Sequence, residues 1–318
     1  MAESETFSSK IFCEGNTAVI TGASSGIGKS AAYFCASKTM KVYMLDIDDV
    51  MLKDASDQIR KAFPNASVFD ETVDVSDFEA MKAIAEKVFS AEKEGRCHFL
   101  MNNAGIHGGG GGSSMTPINH IHKTLGVNTY GPIHGCQVFL PLMKKQGSDT
   151  SLIVNTGSKQ GITMPPGNLI YNVSKAALKT YTEGLEHELR TERMKNEDFN
   201  IYAALLVPGW VNTSIVLKEM RAKAQEDNSE FDVEKVFFHE KKPAAGAWMG
   251  EQVIEFMTKE LDNGRFYIIC PDNDVDRETD NLRMTWTMQD ITMNRPPLSR
   301  WHPDYKEKFS EFLAENKK

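Results

Sequence analysis

The chain has 318 residues, of which 41% are hydrophobic and 25% are charged, and its formal net charge is −8. This length allows one large α/β domain or two smaller ones around a sizeable core. The acidic balance, with neither a basic block nor a basic amphipathic helix, argues against a nucleic-acid or membrane-surface partner and favours a small molecule. No apolar run approaches the roughly 18 residues that a membrane span needs.

Features of the N-terminus and of the cysteines predict a cytoplasmic protein. The first ten residues are polar and partly acidic, which fits neither a secretory signal nor an Arg-rich transit peptide. The cysteines are odd in number, far apart and free of any Cys-x-x-Cys pair, as expected of reduced thiols: Cys13, Cys35, Cys97, Cys136 and Cys270. His120 and His122 lie two apart on a predicted helix and so point in different directions, and we predict no metal site.

The first predicted elements form the context of a phosphate-binding turn. A short apolar strand at 17–20 leads directly into Thr21-Gly-Ala-Ser-Ser-Gly-Ile-Gly28, and a helical pattern starts at Lys29. Glycines let the backbone approach a pyrophosphate, and the helix N-terminus supplies free N–H groups and a positive dipole end. The residues of this turn that are predicted to bind a cofactor are Gly22, Ser24, Ser25, Gly26, Ile27 and Gly28.

A second predicted strand, 41–45, ends on Asp46, where the ribose of a dinucleotide is expected. A carboxylate there accepts both ribose hydroxyls and repels a 2′-phosphate, which favours NAD over NADP. No Arg or Lys occurs at 23–25 or at Ile47 to offset that repulsion. A turn or capping role for Asp46 is the alternative, because two further aspartates precede the next predicted helix, 50–62.

Strands and helices continue to alternate along the chain. The further predicted elements are strands at 68–73, 97–101, 152–156 and 201–207 and helices at 77–92 and 169–192. Such alternation implies right-handed crossovers and a parallel sheet, with ligands beyond the carboxyl ends of its strands. Asp74-Val75 and Asn102–Gly105 lie at two of those ends. The five glycines 108–112 then predict a flexible connector or a mobile rim of the cleft.

The stretch from Ser158 to Lys175 places a hydroxyl, a phenol and an ammonium where one substrate atom meets all three. In a helix over 169–192, Tyr171 and Lys175 are one turn apart on the same face. A lysine charge beside a phenol favours the phenolate, so Lys175 is expected to lower the Tyr171 pKa. A tyrosine four residues before a lysine is also common by chance, and the pair gains its weight from the motifs elsewhere in the chain.

Taken together, these motifs resemble those of the short-chain dehydrogenase/reductase family over roughly residues 15–272. The matching residues follow the family's order and are Thr21–Gly28, Asp74, Asn102–Gly105, Asn128, Ser158, Tyr171, Lys175 and Pro208-Gly209. The resemblance implies an α/β fold with a single Rossmann-type doubly wound domain, in which helices flank a seven-stranded parallel sheet. It also implies a nicotinamide cofactor and a catalytic tetrad of Asn128, Ser158, Tyr171 and Lys175.

The resemblance assigns roles to the tetrad and extends the cofactor site. Ser158 donates to the substrate oxygen, Tyr171 exchanges the alcohol proton, Lys175 also holds the nicotinamide ribose, and Asn128 keeps a water behind Lys175. Hydride passes between the substrate carbon and the nicotinamide. Beyond the glycine turn and Asp46, the predicted cofactor-binding residues are Asp74, Val75, Asn103, Ala104, Gly105, Tyr171, Lys175, Pro208, Gly209, Val211 and Thr213.

The predicted substrate is a mainly apolar secondary alcohol or ketone, because apolar side chains line the pocket if the loops fall as they do in the family. The residues predicted to contact it are His107, Ser158, Met164, Trp210 and Met220, with Pro165, Pro166, Ile215 and Val216 beside them. The same residues equally fit plain loop packing. Residues 214–242 are polar and lack a clean period, which predicts a lid or substrate loop with one short helix near 215–226.

We divide the chain into an N-terminal segment (1–14), the dehydrogenase domain (15–272, with a substrate loop at 212–242) and a C-terminal extension (273–318). In the extension, Leu282 and Trp286 belong to a predicted amphipathic helix that ends before Pro296. Its aromatic and arginine residues suit an interface, or equally packing on its own subunit. The resemblance itself implies a homodimer or homotetramer.

Three functions fit these residues. The first is an NAD-dependent alcohol dehydrogenase or ketone reductase. The second is an enzyme of the same fold whose tetrad serves an isomerisation or elimination, and the third is a non-enzymatic NAD-binding scaffold. Such scaffolds commonly lose the Tyr or the Lys of the tetrad, and this chain retains both. The fold alone does not decide between the three, because the same architecture hosts many functions.

Overall fold

The computed structural model of the chain describes residues 6–90, 95–108, 111–112, 114–215 and 245–317. These residues form one parallel seven-stranded sheet, which confirms the predicted fold class. Its strands are β1 (Thr17–Thr21), β2 (Lys41–Asp46), β3 (Ser67–Thr72), β4 (Phe99–Asn102), β5 (Ser151–Thr156), β6 (Ile201–Val207) and β7 (Tyr267–Ile269). The strands lie side by side in the order β3-β2-β1-β4-β5-β6-β7.

Helices cover both faces of the sheet. In chain order they are α1 (Phe7–Ile11), α2 (Gly26–Ser37), α3 (Asp49–Ala62), α4 (Phe78–Ser90), α5 (Ile118–Leu125), α6 (Gly131–Met143), α7 (Gln160–Thr163), α8 (Leu169–Lys195), α9 (Gly250–Asp262), α10 (Arg277–Thr292) and α11 (Lys306–Asn316). One apolar core joins the sheet to α2, α3 and α9, and a second joins it to α4, α6 and α8. Central strands such as β5 are therefore buried along their whole length, as expected for a parallel sheet covered on both sides.

The order of the strands reverses at β1. From β1 the chain builds outward through β2 and β3 on one side, and then returns to place β4 on the other side. Loops that follow β1 and β4 therefore run away from each other and leave a crevice at the carboxyl ends of these strands. Ligands of open α/β sheets bind at such a point, so this crevice is the place to look for the site.

Several boundaries differ from the predicted ones. The fourth strand begins at Phe99, two residues later than predicted, and pairs there with β5. The helical stretch around Asn128 is interrupted by one π-helical turn, Gly126–Tyr130, between α5 and α6. The short helix predicted near 215–226 lies almost entirely outside the described residues, as does most of the predicted substrate loop.

The C-terminal extension contains the predicted amphipathic helix, α10, which ends at Thr292 before Pro296. Trp286 on this helix is only 4% exposed. Its indole N–H donates to Ser299 Oγ at 2.8 Å, and the Arg295 guanidinium stacks 3.8 Å from the ring centre. Trp286 and Arg295 therefore pack within their own chain, as expected if the extension packs on its own subunit. None of the helices in the described part of the chain has the length and hydropathy of a membrane span.

Candidate active site

The glycine turn after β1 is shaped so that side chains are excluded from it. Gly22 and Gly26 have positive φ angles of 65° and 53°, a region that glycine adopts at no steric cost. A Cβ on Gly28 would lie 2.2 Å from the Gly22 carbonyl oxygen, and helix α2 begins at Gly26. The result is a side-chain-free cradle at a helix N-terminus, which has the free N–H groups and the dipole that an anion requires.

Thr21 ties this cradle to the neighbouring strand end. Its Oγ1 accepts hydrogen bonds from the backbone N–H groups of Asn103 and Ala104, at 2.9 and 3.0 Å. The Asn103 side chain in turn donates to the Thr21 carbonyl oxygen at 3.1 Å. A Cβ on Gly22 would lie 2.8 Å from Ala104 Cα, so the backbones are in direct contact where β1 and β4 end, before the two loops diverge. Residues 103–105 thus line the crevice beside the glycine turn.

Asp46 lies at the carboxyl end of β2 and is only 5% exposed. One carboxylate oxygen accepts the Ser24 N–H and the other accepts the Asp48 N–H, both at 3.1 Å. The second bond is a turn contact of the kind considered as the alternative for Asp46. The capping role belongs to Asp48, whose side chain accepts the Met51 N–H at the start of α3. The Asp46 carboxylate therefore lies against the glycine turn, where the N–H groups of Ser24 and Asp48 hold it.

The predicted pair Asp74-Val75 follows β3 on the same edge of the sheet. Asp74 Oδ1 accepts hydrogen bonds from the backbone N–H and the hydroxyl of Ser76, at 2.9 and 2.7 Å. Val75 packs closely against Gly131, because a Cβ added to Gly131 would lie 2.7 Å from a methyl group of Val75. This contact connects the end of β3 to the start of α6, next to the π-helical turn.

All four residues of the predicted tetrad lie near the carboxyl ends of β4 and β5. Tyr171 and Lys175 occupy the first turns of α8 and are 9% and 4% exposed. The Lys175 ammonium donates to the Thr156 carbonyl oxygen at 2.8 Å and lies 5.9 Å from the centre of the Tyr171 ring. A Cβ on Gly105 would lie 3.4 Å from Asn128 Oδ1 and 3.5 Å from Lys175 Nζ, so both side chains converge on that glycine.

Asn128 is completely buried in the π-helical turn. Its side-chain amide accepts the Ile106 N–H and donates to the Ile106 carbonyl oxygen, both at 2.8 Å. It also donates to Ser174 Oγ at 3.1 Å, and Ser174 Oγ donates to the Tyr171 carbonyl oxygen at 2.7 Å. Asn128 thus holds the segment that follows Gly105 against the helix that carries Tyr171. Single π-turns recur at functional sites.

The electrostatics of Tyr171 differ from the prediction. Burial raises the pKa of the phenol above its ordinary value, and a side-chain hydrogen bond with Ser158 lowers it. The net shift is upward instead of the predicted lowering, because the desolvation of the phenol is the dominant effect. Burial also lowers the pKa of Lys175 itself, to about 8. The group that favours the Tyr171 phenolate in this structure is therefore Ser158.

His107, a predicted substrate contact, lies against the Tyr171 ring with 5.6 Å between ring centres. Asn168 fixes the position of His107. The Asn168 side-chain nitrogen donates to the His107 carbonyl oxygen at 2.8 Å and lies 3.1 Å from the His107 imidazole Nε2. Gly111, in the described part of the glycine tract, bridges to the same region through a 2.7 Å bond from its N–H to the Gly167 carbonyl oxygen. At Gly111 the tract is therefore held against the residues that precede α8.

Further predicted residues lie in the segments that follow β5 and β6. Met164 ends α7 in a left-handed conformation with φ 46°, and Trp210 is 46% exposed after β6. Thr213 contacts the glycine turn, because a Cβ on Gly26 would lie 2.8 Å from its methyl group. Val211 forms a bridge to Trp248. Met220 lies outside the described residues.

One group beside the site has no counterpart in the sequence-based predictions. Lys159, the residue after Ser158, forms ion pairs with Asp272 and Asp280. These partners are more than one hundred residues further along the chain, so no local pattern signals the contact. The only hint in the sequence is that this lysine directly follows a predicted catalytic serine.

The chain resembles known proteins over most of its length. The family model described as short chain dehydrogenase matches residues 16–224. The chain is 30% identical over 235 residues to the "Putative oxidoreductase SadH" of Mycobacterium tuberculosis, which covers 73% of this chain and 80% of that protein. The fold matches a short chain dehydrogenase/reductase from Burkholderia phymatum in complex with NAD, with a TM-score of 0.74 and 30% identity over 90% of this chain and 97% of that one.

A metagenomic short-chain oxidoreductase in complex with NADP has the same fold, with a TM-score of 0.62 and 22% identity over 81% of this chain and 98% of that one. The parallel sheet, the glycine turn and the match of the family model lead to one conclusion. The chain belongs to the short-chain dehydrogenase family and is an oxidoreductase of that family. Of the two solved structures named here, the first contains NAD and the second contains NADP.

Proposed function

We propose that the chain is an NAD-dependent oxidoreductase that interconverts a secondary alcohol and a ketone on a mainly apolar small molecule. The observation that carries this proposal is the buried phenol of Tyr171, which lies one helical turn before Lys175, close enough to Ser158 for that hydroxyl to lower its pKa. A phenol, a hydroxyl and a lysine ammonium at one crevice form the donor set that proton exchange with an alcohol requires.

The crevice fits a dinucleotide. The cradle around Gly22 and Gly28 leaves no room for a Cβ, and only a ligand that approaches the backbone closely makes use of such a surface. We propose that the glycine turn holds the pyrophosphate, Asp46 the adenosine ribose, and Lys175 the nicotinamide ribose. The other residues proposed to line the cofactor are Asp74, Val75, Asn103, Ala104, Gly105, Pro208, Gly209, Val211 and Thr213.

The preference for NAD rests on the carboxylate of Asp46. It lies beside the glycine turn and is nearly buried, so a 2′-phosphate placed there would meet an uncompensated negative charge. The relative from Burkholderia phymatum, which shares the fold over almost its entire length, contains NAD. When bound, the nicotinamide supplies the carbon that accepts or gives the hydride.

The protein's own residues carry the proton. Ser158 Oγ donates a hydrogen bond to the substrate oxygen and stabilises the negative charge that develops on it. During oxidation the Tyr171 phenolate oxygen takes the alcohol proton, and during reduction the phenol gives it back. The Lys175 ammonium, held by the Thr156 carbonyl oxygen, supplies a fixed positive charge near the phenolate. Asn128 keeps the segment before His107 in place against α8.

The substrate is proposed to lie between the residues after β5 and those after β6. His107 borders Tyr171 on one side, and Met164 and the exposed indole of Trp210 supply apolar surface, as Met220 would. An apolar secondary alcohol buries its hydrocarbon part against these side chains while its oxygen meets Ser158 and Tyr171.

We also propose that the chain functions as a cytoplasmic homodimer or homotetramer with the domain division 1–14, 15–272 and 273–318. Support for an oligomer comes from large hydrophobic side chains that remain exposed at the start of α6 and of α8. Tyr130, Leu169 and Val173 are 55%, 42% and 45% exposed. Apolar surface of this kind is suited to burial by a second subunit.

A panel of alcohols tests the proposed reaction. The purified chain is incubated with NAD, and separately with NADP, and with sterols, terpenoid alcohols, polyols or hydroxyacyl esters, and formation of the reduced nicotinamide is followed by absorbance. We expect turnover with an apolar secondary alcohol, at least about tenfold more efficient with NAD than with NADP. Binding of NADH without turnover of any alcohol in the panel would instead favour a binding scaffold.

A further inference from the structure

Lys159 is held between two buried carboxylates next to the proposed active site. Its ammonium lies 3.2 Å from Asp272 Oδ2 and 2.5 Å from Asp280 Oδ2. The three side chains are 15%, 7% and 3% exposed, so water screens these charges far less than it screens a surface ion pair. We refer to Lys159, Asp272 and Asp280 as the Lys159 ion cluster.

Each member of the Lys159 ion cluster belongs to a different part of the fold. Lys159 follows Ser158 directly and precedes α7, whereas Asp272 lies just after β7. Asp280 is one of the first residues of α10, in the C-terminal extension. The ion cluster therefore joins the loop after β5, the end of the sheet and the extension through one cation.

The cluster also reaches the loop after β6. Asp272 Oδ2 accepts the backbone N–H of Trp210 at 3.0 Å. A Cβ on Gly209 would lie 2.5 Å from Asp272 Oδ2 and 2.8 Å from Lys159 Nζ, so the backbone of this loop packs directly on the ion pair. The other Asp272 oxygen accepts the N–H groups of Asp274 and Val275, which fixes the carboxylate itself.

The buried charges of the Lys159 ion cluster restrict the positions of the backbone segments around it. Without Lys159, Asp272 and Asp280 lose the ammonium that lies against both carboxylates, and among the described residues only Asp280 has arginines nearby, Arg277, Arg283 and Arg300. The backbone segments around a buried carboxylate that loses its ion-pair partner move to bring in water or another partner. Lys159 is covalently attached to Ser158, and Asp272 holds Trp210, so such movement reaches the loops after β5 and after β6. A displacement of about 1 Å at a catalytic group is enough to cost about a hundredfold in rate.

We propose that Lys159 is a positioning residue through which the C-terminal extension fixes Ser158 in the loop after β5 and Trp210 in the loop after β6. The ammonium acts as a fixed point for Asp280 on the extension and for Asp272 at the end of β7. Its effect on turnover rests on the proposed function, whereas its effect on the two loops does not, and the two are measured separately.

Hydrogen exchange of the ligand-free chain tests the positional claim. Lys159→Met and Asp280→Asn each remove one charge while keeping the side-chain shape, and both are expected to raise amide exchange at least about tenfold in peptides that cover 158–164 and 208–213. Lys159→Arg keeps the charge and is expected to retain wild-type exchange. The control is Asp304→Asn, an exposed carboxylate elsewhere on the extension.

The proposal would be overturned if amide exchange became faster only in α10 in the two neutral variants, Lys159→Met and Asp280→Asn. The cluster would then only anchor the extension. Equally fast amide exchange of peptides 158–164 and 208–213 in Lys159→Arg and in Lys159→Met would also overturn the proposal, because the lysine charge would then have no part in positioning these loops. These readings need no substrate, so they stand even if none of the panel alcohols is oxidised.

Kinetics with the panel alcohol that gives the highest rate supply the second readout. Lys159→Met and Asp280→Asn are expected to lower kcat about tenfold or more while the Kd for NADH, measured by nucleotide fluorescence, changes less than threefold. Lys159→Arg is expected to recover kcat to within about threefold of wild type. Unchanged kcat in both neutral variants, together with a lower melting temperature, would assign the cluster to stability alone and refute the positioning role.

Discussion

Replacing Asp46 by asparagine removes the charge at the carboxyl end of β2 without changing the shape of the side chain. In the folded chain the two carboxylate oxygens accept the Ser24 and Asp48 N–H groups, each at 3.1 Å. An asparagine has only one oxygen, so one of these N–H groups then faces an NH₂ group. A buried donor without an acceptor costs about 1–3 kcal/mol, and we expect the melting temperature to fall by a few degrees.

The same substitution changes the choice of cofactor. Repulsion between the carboxylate and a 2′-phosphate is worth about 1.4 kcal/mol or more if wild type favours NAD at least tenfold. Asp46→Asn removes this repulsion and is expected to bring the ratio of NAD to NADP efficiency to within about threefold of unity. Fluorescence titrations with NADH and NADPH measure the same preference without a substrate.

Asp49→Asn is the matched control, because it makes the same charge change three residues further on at an exposed position. It is expected to leave both the cofactor preference and the melting temperature at wild-type values. Equal affinity of the unmodified protein for NADH and NADPH would refute the reasoning, as would a preference that survives in Asp46→Asn.

Two further predictions concern pH and the glycine cradle. Burial lowers the pKa of His98 from its ordinary value of 6.5, and its Nδ1 accepts the Thr17 N–H at 3.0 Å, so the unfolded chain takes up a proton before the folded one does. The free energy of unfolding, measured in urea, should therefore decrease as the pH falls below about 6.5, and less so in His98→Asn. Gly28→Ala places a Cβ 2.2 Å from the Gly22 carbonyl oxygen and should abolish NADH binding in a titration, whereas Gly184→Ala, with open space around it, should not.

The sequence was sufficient for the sheet and the glycine turn because both depend on short-range patterns. Strands such as β1 and β5 are apolar at their centres and buried along their whole length, because helices cover both faces of the sheet. Glycines at 22, 26 and 28 occupy positions where a Cβ is strained or has no room. The position of Tyr171 and Lys175 one turn apart follows equally directly from helical spacing.

Features that join distant segments were not predictable in this way. The Lys159 ion cluster pairs the lysine with residues 113 and 121 positions further along the chain, and the lysine carries no signal beyond its place after Ser158. The bridge between Gly111 and Asn168 likewise depends on the final arrangement of two loops. The prediction for the Tyr171 pKa was wrong for a related reason: spacing shows which charge is near, whereas burial, which raises this pKa, emerges only from the packed structure.

The most direct test of the central claim is turnover by Tyr171→Phe, which removes only the phenolic oxygen. With the panel alcohol that gives the highest rate, we expect kcat to fall at least about a hundredfold while the Kd for NADH remains within about threefold of wild type. Tyr130→Phe removes the same atom from an exposed tyrosine and should keep wild-type turnover. Near-wild-type turnover by Tyr171→Phe would contradict the assignment of Tyr171 as the acid/base.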